Sequence, residues 1–188
     1  MSSFIKEILE RNPVIPAIKD DIGFKKALEE ESEIVFILTS NLFNIKAMVE
    51  ELKKKGKIVF VHADLVEGLS HSSYALEYLI TNTELDGIIS TKYNLIKSAK
   101  KLNVRVIQRF FLLDSISLEN SLKYARETKP DAVEILPGLM PKIIKRLSNE
   151  LNLPVIAGGL ITDKEDIMNA LGAGASGVST TKIDLWDI

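Results

Sequence analysis

Short apolar runs alternate with amphipathic segments along the whole of the 188-residue chain, and that alternation narrows the fold more than any other feature. The runs fall at 14–18, 34–38, 58–61, 87–90, 104–108, 132–136, 154–157 and 177–179. They are rich in Val and Ile at consecutive positions, the pattern of strands covered on both faces. Between them, apolar residues recur at three- and four-residue spacing, as in Ile143, Ile144, Leu147 and Leu151. This predicts helices over 21–30, 44–55, 72–81, 94–101, 117–127, 140–151 and 163–171. Asn44, Ser117 and Asp163 supply N-cap side chains, and Gly56 a helix stop. Alternating strands and helices imply a parallel sheet with right-handed crossovers. Eight strand–helix units predict a closed (β/α)8 barrel of TIM type, one domain over 1–188; the rival is an open doubly wound sheet with fewer strands. Such barrels usually take about 250 residues. Only Lys182 to Ile188 follows the eighth strand, so the final helix must be vestigial. An internal echo supports the barrel: Gly87-Ile88-Ile89-Ser90-Thr91-Lys92 resembles Gly177-Val178-Ser179-Thr180-Thr181-Lys182, half a barrel away.

The last two strands end in small residues at sharp exits, Ala157-Gly158-Gly159-Leu160 and Val178-Ser179-Thr180-Thr181. The loops after strands seven and eight are where this fold commonly holds a phosphate, through backbone N–H groups. Gly158 and Gly159 lack a Cβ and let a ligand approach the main chain, while Ser179, Thr180 and Thr181 add hydroxyls. A phosphorylated small molecule is the expected ligand.

Other polar residues gather at the same ends of the strands. His62 and Asp64 close the third, Ser90, Thr91 and Lys92 the fourth, and Gln108 and Arg109 the fifth; Glu134 lies within the sixth. In a barrel, polar groups at that end are usually functional. Asp64, Arg109, Glu134, His62 and Lys92 are therefore assigned to the non-phosphate end of the ligand. His62 reads equally well as a satisfied core histidine, and Arg109 with Glu134 as a structural ion pair, although a carboxylate is costly to bury idly. The lysines at 53–57 and at 97, 100 and 101 read as solvated helix faces.

Net charge is -2 and 27% of residues are charged, so no strongly basic surface advertises nucleic acid. The absence of cysteine excludes disulfides and thiolate metal sites and suits a reducing cytosol. The segment Met1 to Arg11 has no apolar core of signal-peptide type, and no apolar run reaches membrane-spanning length. Abundant Lys and Glu beside a lone glutamine, Gln108, hint at a heat-adapted source. No catalytic residue, cofactor or transition-metal site is expected; a Mg2+ on Asp64 or Glu134 with a ligand phosphate stays open. The residues alone leave open a ligand-binding protein, a barrel enzyme of small phosphorylated metabolites (an aldolase, isomerase or phosphodiesterase with Glu134 or Asp64 as general acid/base), or a scaffold that holds a partner. Oligomeric state, a homo-oligomer included, is left open.

Several stretches resemble one bacterial family. They are Pro16-Ala17-Ile18, Val61-His62-Ala63-Asp64-Leu65, Gly87 to Thr91 with Asn94, Gln108-Arg109 with Leu112 to Ser115, Glu134 to Gly138, Ala157 to Ile161, and Ser179-Thr180-Thr181 before Leu185-Trp186. Together they make the chain similar, over nearly its full length, to the glycerol uptake operon antiterminator regulatory proteins. The resemblance implies a cytoplasmic regulator that binds glycerol 3-phosphate and the leader of a glycerol-metabolism messenger RNA, preventing premature termination. It departs at Lys92-Tyr93, where Arg-Ser is expected, so one forked guanidinium is replaced by an ammonium. RNA binding follows from the resemblance alone: the sequence has no RNA-recognition signature and no contiguous stretch of interleaved basic and aromatic residues.

Overall fold

Consecutive branched apolar residues in an extended backbone project to both sides, so each run needs cover on both faces. The computed structural model, which describes residues 4–187, supplies it as a closed barrel of eight parallel strands. These are β1 (Val14–Ile18), β2 (Ile34–Ile37), β3 (Ile58–His62), β4 (Gly87–Ser90), β5 (Arg105–Phe111), β6 (Ala132–Leu136), β7 (Val155–Gly158) and β8 (Gly177–Thr180). Each pairs with its neighbours in chain order, and β8 closes onto β1 through Val14↔Val178 and Pro16↔Thr180. The helices are α1 (Phe4–Arg11), α2 (Asp21–Ala27), α3 (Ile45–Lys54), α4 (Ser73–Asn82), α5 (Tyr93–Lys101), α6 (Ser115–Thr128), α7 (Pro141–Glu150) and α8 (Lys164–Gly172). The open doubly wound alternative is thereby excluded.

Alternation along the strands sorts the apolar residues into two cores. Ile15, Phe36, Phe60, Ile89, Ile107, Ala132 and Ile156 fill the barrel; Val35, Val61, Ile88, Val106, Ile135 and Val178 pack outward under the helices. The expected vestigial last helix is a single 3-10 turn, Ile183–Leu185, locked by Trp186, whose indole Nε1 donates to the Thr180 carbonyl at 2.9 Å. Helix α1 had no counterpart in the sequence reading. Its Ile5, Ile8 and Leu9 share one face and plug the N-terminal end of the barrel, each contributing about 1.5–3 kcal/mol of gross burial. A short parallel pair, Ser40–Asn41 with Val66–Glu67, was also missed, being too brief to show a period. Residues 1–3 and 188, part of the segments read from sequence as the start and the vestigial end, lie outside the described residues.

Boundaries moved where side-chain hydrogen bonds decide them. Helix α6 begins two residues earlier than expected, because Asp114 is its N-cap and Ser117 the third position of a capping box. Asn44 sits at the N-cap of α3 but its amide oxygen accepts from Asn41 N instead, whereas Asp163 caps α8 as expected. Gly56 follows α3 at φ +75°, a conformation open to glycine. Strand β5 runs on through Phe111, which places Arg109 inside the sheet opposite Glu134 rather than at a strand end.

Gly87 gives one test of the packing. A Cβ there lies 2.3 Å from Phe60 Cε1 and 2.8 Å from the Arg105 carbonyl oxygen. Gly87→Ala is expected to destabilise by about 1–3 kcal/mol through overpacking of the barrel interior. An unchanged midpoint in urea unfolding contradicts the account of this core.

Candidate ligand site at the barrel mouth

At the C-terminal end of the strands the inward layer turns from apolar to charged. Glu134, wholly buried on β6, accepts from Arg109 Nε of β5 at 2.7 Å and from the Ser179 hydroxyl of β8 at 2.5 Å. Glu134 reaches past β7 because the inward residue of β7 at that level is Gly158. A Cβ on Gly158 lies 2.7 Å from Glu134 Oε1 and 2.6 Å from Ser179 Oγ. Both carboxylate oxygens are thus used, while the terminal nitrogens of Arg109 carry no hydrogen bond among the described residues. The guanidinium is a charge-neutralised fork with donors to spare.

Above this floor lies a cavity of about 100 Å³, lined by Arg109, Glu134, Leu136, Gly159, Thr180 and Thr181 among others. It suits a few-carbon ligand and is well below the roughly 300 Å³ lower range of drug-sized sites. Two roomier hollows, about 520 and 500 Å³, lie at the opposite end, where this fold keeps stability rather than chemistry. One wall is the β7 exit, where Gly159 (φ +72°) and Leu160 (φ +60°) are both left-handed. Leucine rarely adopts this conformation, and such strain concentrates at ligand clamps. The Thr180 hydroxyl donates to the Ile161 carbonyl at 3.2 Å and ties the β7 loop to β8.

The cavity gathers six of the residues singled out from sequence, Gly159, Ser179, Thr180, Thr181, Arg109 and Glu134, with Gly158 beneath, next to Glu134 and Ser179. Ser179 spends its hydroxyl on Glu134 rather than presenting it to a phosphate. The remaining three stand apart from it. Asp64 accepts from the Ser90 hydroxyl (2.5 Å), the Thr91 hydroxyl (2.7 Å) and Thr91 N (2.8 Å), pinning the β4–α5 loop. These donors hold its carboxyl below the usual value despite partial burial, which acts the other way. Lys92 is exposed at the N-cap of α5. Gln108 faces outward, accepting from Thr128 of α6. Leu136 and Leu160 border the cavity and were not foreseen; only the small residues around them signalled the turn. Among the described residues no cluster of three or more His, Asp or Glu could hold a metal ion, and no helix is long and apolar enough to cross a membrane.

His62 points inward at the end of β3, 3% exposed, its Nδ1 without a hydrogen-bond partner among the described residues. Burial first, and the Arg109 cation second, lower its pKa to about 4, against the pull of Asp64. It is neutral in the folded protein while the unfolded ring titrates near 6.5. Stability from this site is therefore complete above pH 6.5 and is lost as pH falls toward 4, by about 3 kcal/mol. A thermal midpoint that declines between pH 7 and pH 4 in the wild type and less in His62→Gln is expected; equal slopes contradict it.

A family model for the glycerol-3-phosphate responsive antiterminators matches residues 14–186, from the first barrel strand to Trp186. The chain belongs to that family. Among solved structures it is similar to the glycerol uptake operon antiterminator regulatory protein of Listeria monocytogenes str. 4b F2365, at 36% identity and TM-score 0.89, covering 93% of this chain and 95% of that one. A glycerol uptake operon antiterminator-related protein of Thermotoga maritima MSB8 matches at 32% identity and TM-score 0.82, over 93% and 98%. The uncharacterized protein YgcP of Escherichia coli (strain K12) is 40% identical over 181 residues, 96% of this chain and 95% of its own. Aldolase barrels at 13–14% identity share the fold alone. Every site residue named above falls inside the antiterminator match, and α1 lies before it.

Proposed function

We propose that the protein is a glycerol 3-phosphate-responsive regulator of glycerol-metabolism genes, acting in the cytoplasm by antitermination on a leader messenger RNA. Family membership supports a regulatory role in a glycerol operon. One observation carries the ligand: a cavity of about 100 Å³ whose floor is the buried Arg109–Glu134–Ser179 cluster and whose wall is the left-handed Gly159–Leu160 turn. The phosphate rests against the Gly159 and Thr180–Thr181 backbone with the Thr181 hydroxyl beside it. The glycerol hydroxyls point down, donating to Glu134 and accepting from the free nitrogens of Arg109 through charge-assisted hydrogen bonds. The Arg109 cation also acts on His62, which in turn feels Asp64, and Asp64 holds the loop that leads into α5 through Ser90 and Thr91. Regulation requires only that glycerol 3-phosphate favour the RNA-competent arrangement of such elements over the other.

Binding without turnover follows from the chemistry. Glycerol 3-phosphate has no carbonyl for enolisation or aldol cleavage, strand β6 (Ala132–Leu136) carries no lysine for a Schiff base, and no dinucleotide fingerprint is present. The single tryptophan, Trp186, donates to the carbonyl of Thr180, a residue that lines the cavity, and is the probe of occupancy. Its emission is expected to change saturably with glycerol 3-phosphate, and the protein to release neither phosphate nor glycerol from glycerol 3-phosphate or glycerol phosphodiesters. Catalytic release lost in Glu134→Gln replaces the regulator with the enzyme reading.

A further inference from the structure

All four tyrosines of the chain, Tyr74, Tyr78, Tyr93 and Tyr124, lie on three consecutive helices. The sequence spreads them out, but the barrel packs α4 against α5 and α5 against α6, making one outer face of them. Tyr74 and Tyr78 stand one turn apart on α4, 82% and 60% exposed, and neither ring stacks on another aromatic among the described residues. The neighbouring stripe of α5 exposes Asn94, Lys97 and Lys101, and α5 has no acidic residue. Lys97 Nζ lies 4.5 Å over the Tyr93 ring, which in turn lies 5.8 Å from the Tyr124 ring on α6. Of the carboxylates on these helices, Glu119 pairs with Arg146 and Glu127 accepts from the Tyr93 hydroxyl, which leaves Glu77.

Neither core packing nor a buried polyol site uses tyrosines exposed in this way. A polymer with planar bases and a charged backbone uses both halves of the face: bases stack on free rings, and phosphates meet the ammonium groups. The barrel mouth is the poorer candidate, since its exposed Phe43, Leu65 and Leu113 are interleaved with exposed Asp21, Glu67, Asp114 and Asp163, which repel a polyanion.

We propose that the α4–α6 face docks single-stranded RNA, with bases stacked on Tyr74 and Tyr78 and phosphates held by Lys97 and Lys101. The proposal rests on the antiterminator reading and names the surface that reading requires. Asp64, at the β3 exit on the same end of the barrel as the ligand site, fixes the Ser90–Thr91 loop that leads into α5.

The test is an electrophoretic shift of a glycerol-operon leader transcript, with and without glycerol 3-phosphate. It compares the full-length wild type, Tyr74→Ala/Tyr78→Ala, Lys97→Glu/Lys101→Glu and, on the exposed side of α7, Lys145→Glu as control. Effector binding is followed alongside by calorimetry. The tyrosine variant is expected to lose about tenfold or more in RNA affinity, the range of stacking losses per base. The lysine variant is expected to bind more weakly and to lose about 0.7 of the log–log salt slope per contact. The control should match the wild type, and all variants should keep their effector affinity. Wild-type binding retained in both double variants overturns the surface and leaves the antiterminator reading standing. No shift by the wild type at saturating effector removes that reading and this proposal together. A drop in sedimentation mass of the double variants with unchanged RNA binding identifies the face as a contact between copies of this chain, and also overturns the proposal.

Discussion

Glu134→Ala is expected to destabilise the protein by about 3–5 kcal/mol, because it strands the guanidinium of Arg109, a residue 7% exposed, without its counter-charge. Ser179 also loses its acceptor. A loss below about 1 kcal/mol in chemical unfolding contradicts the role given to the pair. Two further variants separate stability from binding. Glu134→Gln keeps the shape and an acceptor for Arg109 but removes the charge, so it should fold and bind glycerol 3-phosphate more weakly. Replacing both partners with apolar residues, Arg109→Met/Glu134→Leu, should recover much of the lost stability, since a buried ion pair is often no more stabilising than well-packed hydrocarbon. That double variant should nonetheless fail to bind. A pair that served only the fold would give the opposite result, a double variant with intact binding.

Gly159→Leu is expected to abolish glycerol 3-phosphate binding while leaving a folded barrel. The position has φ +72°, where a non-glycine residue costs about 1–2 kcal/mol, and a Cβ there meets Leu136 Cδ2 at 3.1 Å. Leu136 is a flexible side chain at the rim and can yield, so the barrel survives. The cavity does not, because both Leu136 and the new side chain border its 100 Å³. Far-ultraviolet circular dichroism like that of the wild type, with no Trp186 emission response to glycerol 3-phosphate, is the expected pair of results. A wild-type response places the ligand elsewhere.

The barrel was legible because buried parallel strands leave continuous Val- and Ile-rich runs, and because the spacing of Ile144 and Leu147 on α7 marks a helix with one covered face. Helix α1 was missed although Phe4, Ile5, Ile8 and Leu9 recur at helical spacing; what the sequence does not show is the open bottom of the barrel, which gives Ile5, Ile8 and Leu9 something to bury against. In the site, the residue types and the Arg109–Glu134 pair were readable, but the other partners were not. Arg109 was placed at the close of strand five, where the structure has it inside β5 opposite Glu134, a register that no local pattern encodes. Asp64 and Ser179 looked like ligand contacts because they are polar and close strands. The fold turns them to other tasks, Asp64 to the β4–α5 loop and Ser179 to Glu134. Gly158 and Gly159 stood out as small residues, but their different reasons appear only in three dimensions: Gly158 clears space for Glu134, and Gly159 makes a left-handed turn. The α5 lysines were read as a solvated helix face; that tyrosines of α4 and α6 flank them is not visible in the sequence, because they come from separate helices.

The mouth between β7 and β8 is the proposed glycerol 3-phosphate site. Titration calorimetry of the wild type and Gly159→Leu with glycerol 3-phosphate, and of the wild type with glycerol and with inorganic phosphate, tests this directly. One saturable site for glycerol 3-phosphate in the wild type, weaker binding of either fragment, and no binding in Gly159→Leu are the expected results. No heat of binding in the wild type, or equal affinity in Gly159→Leu, contradicts that assignment.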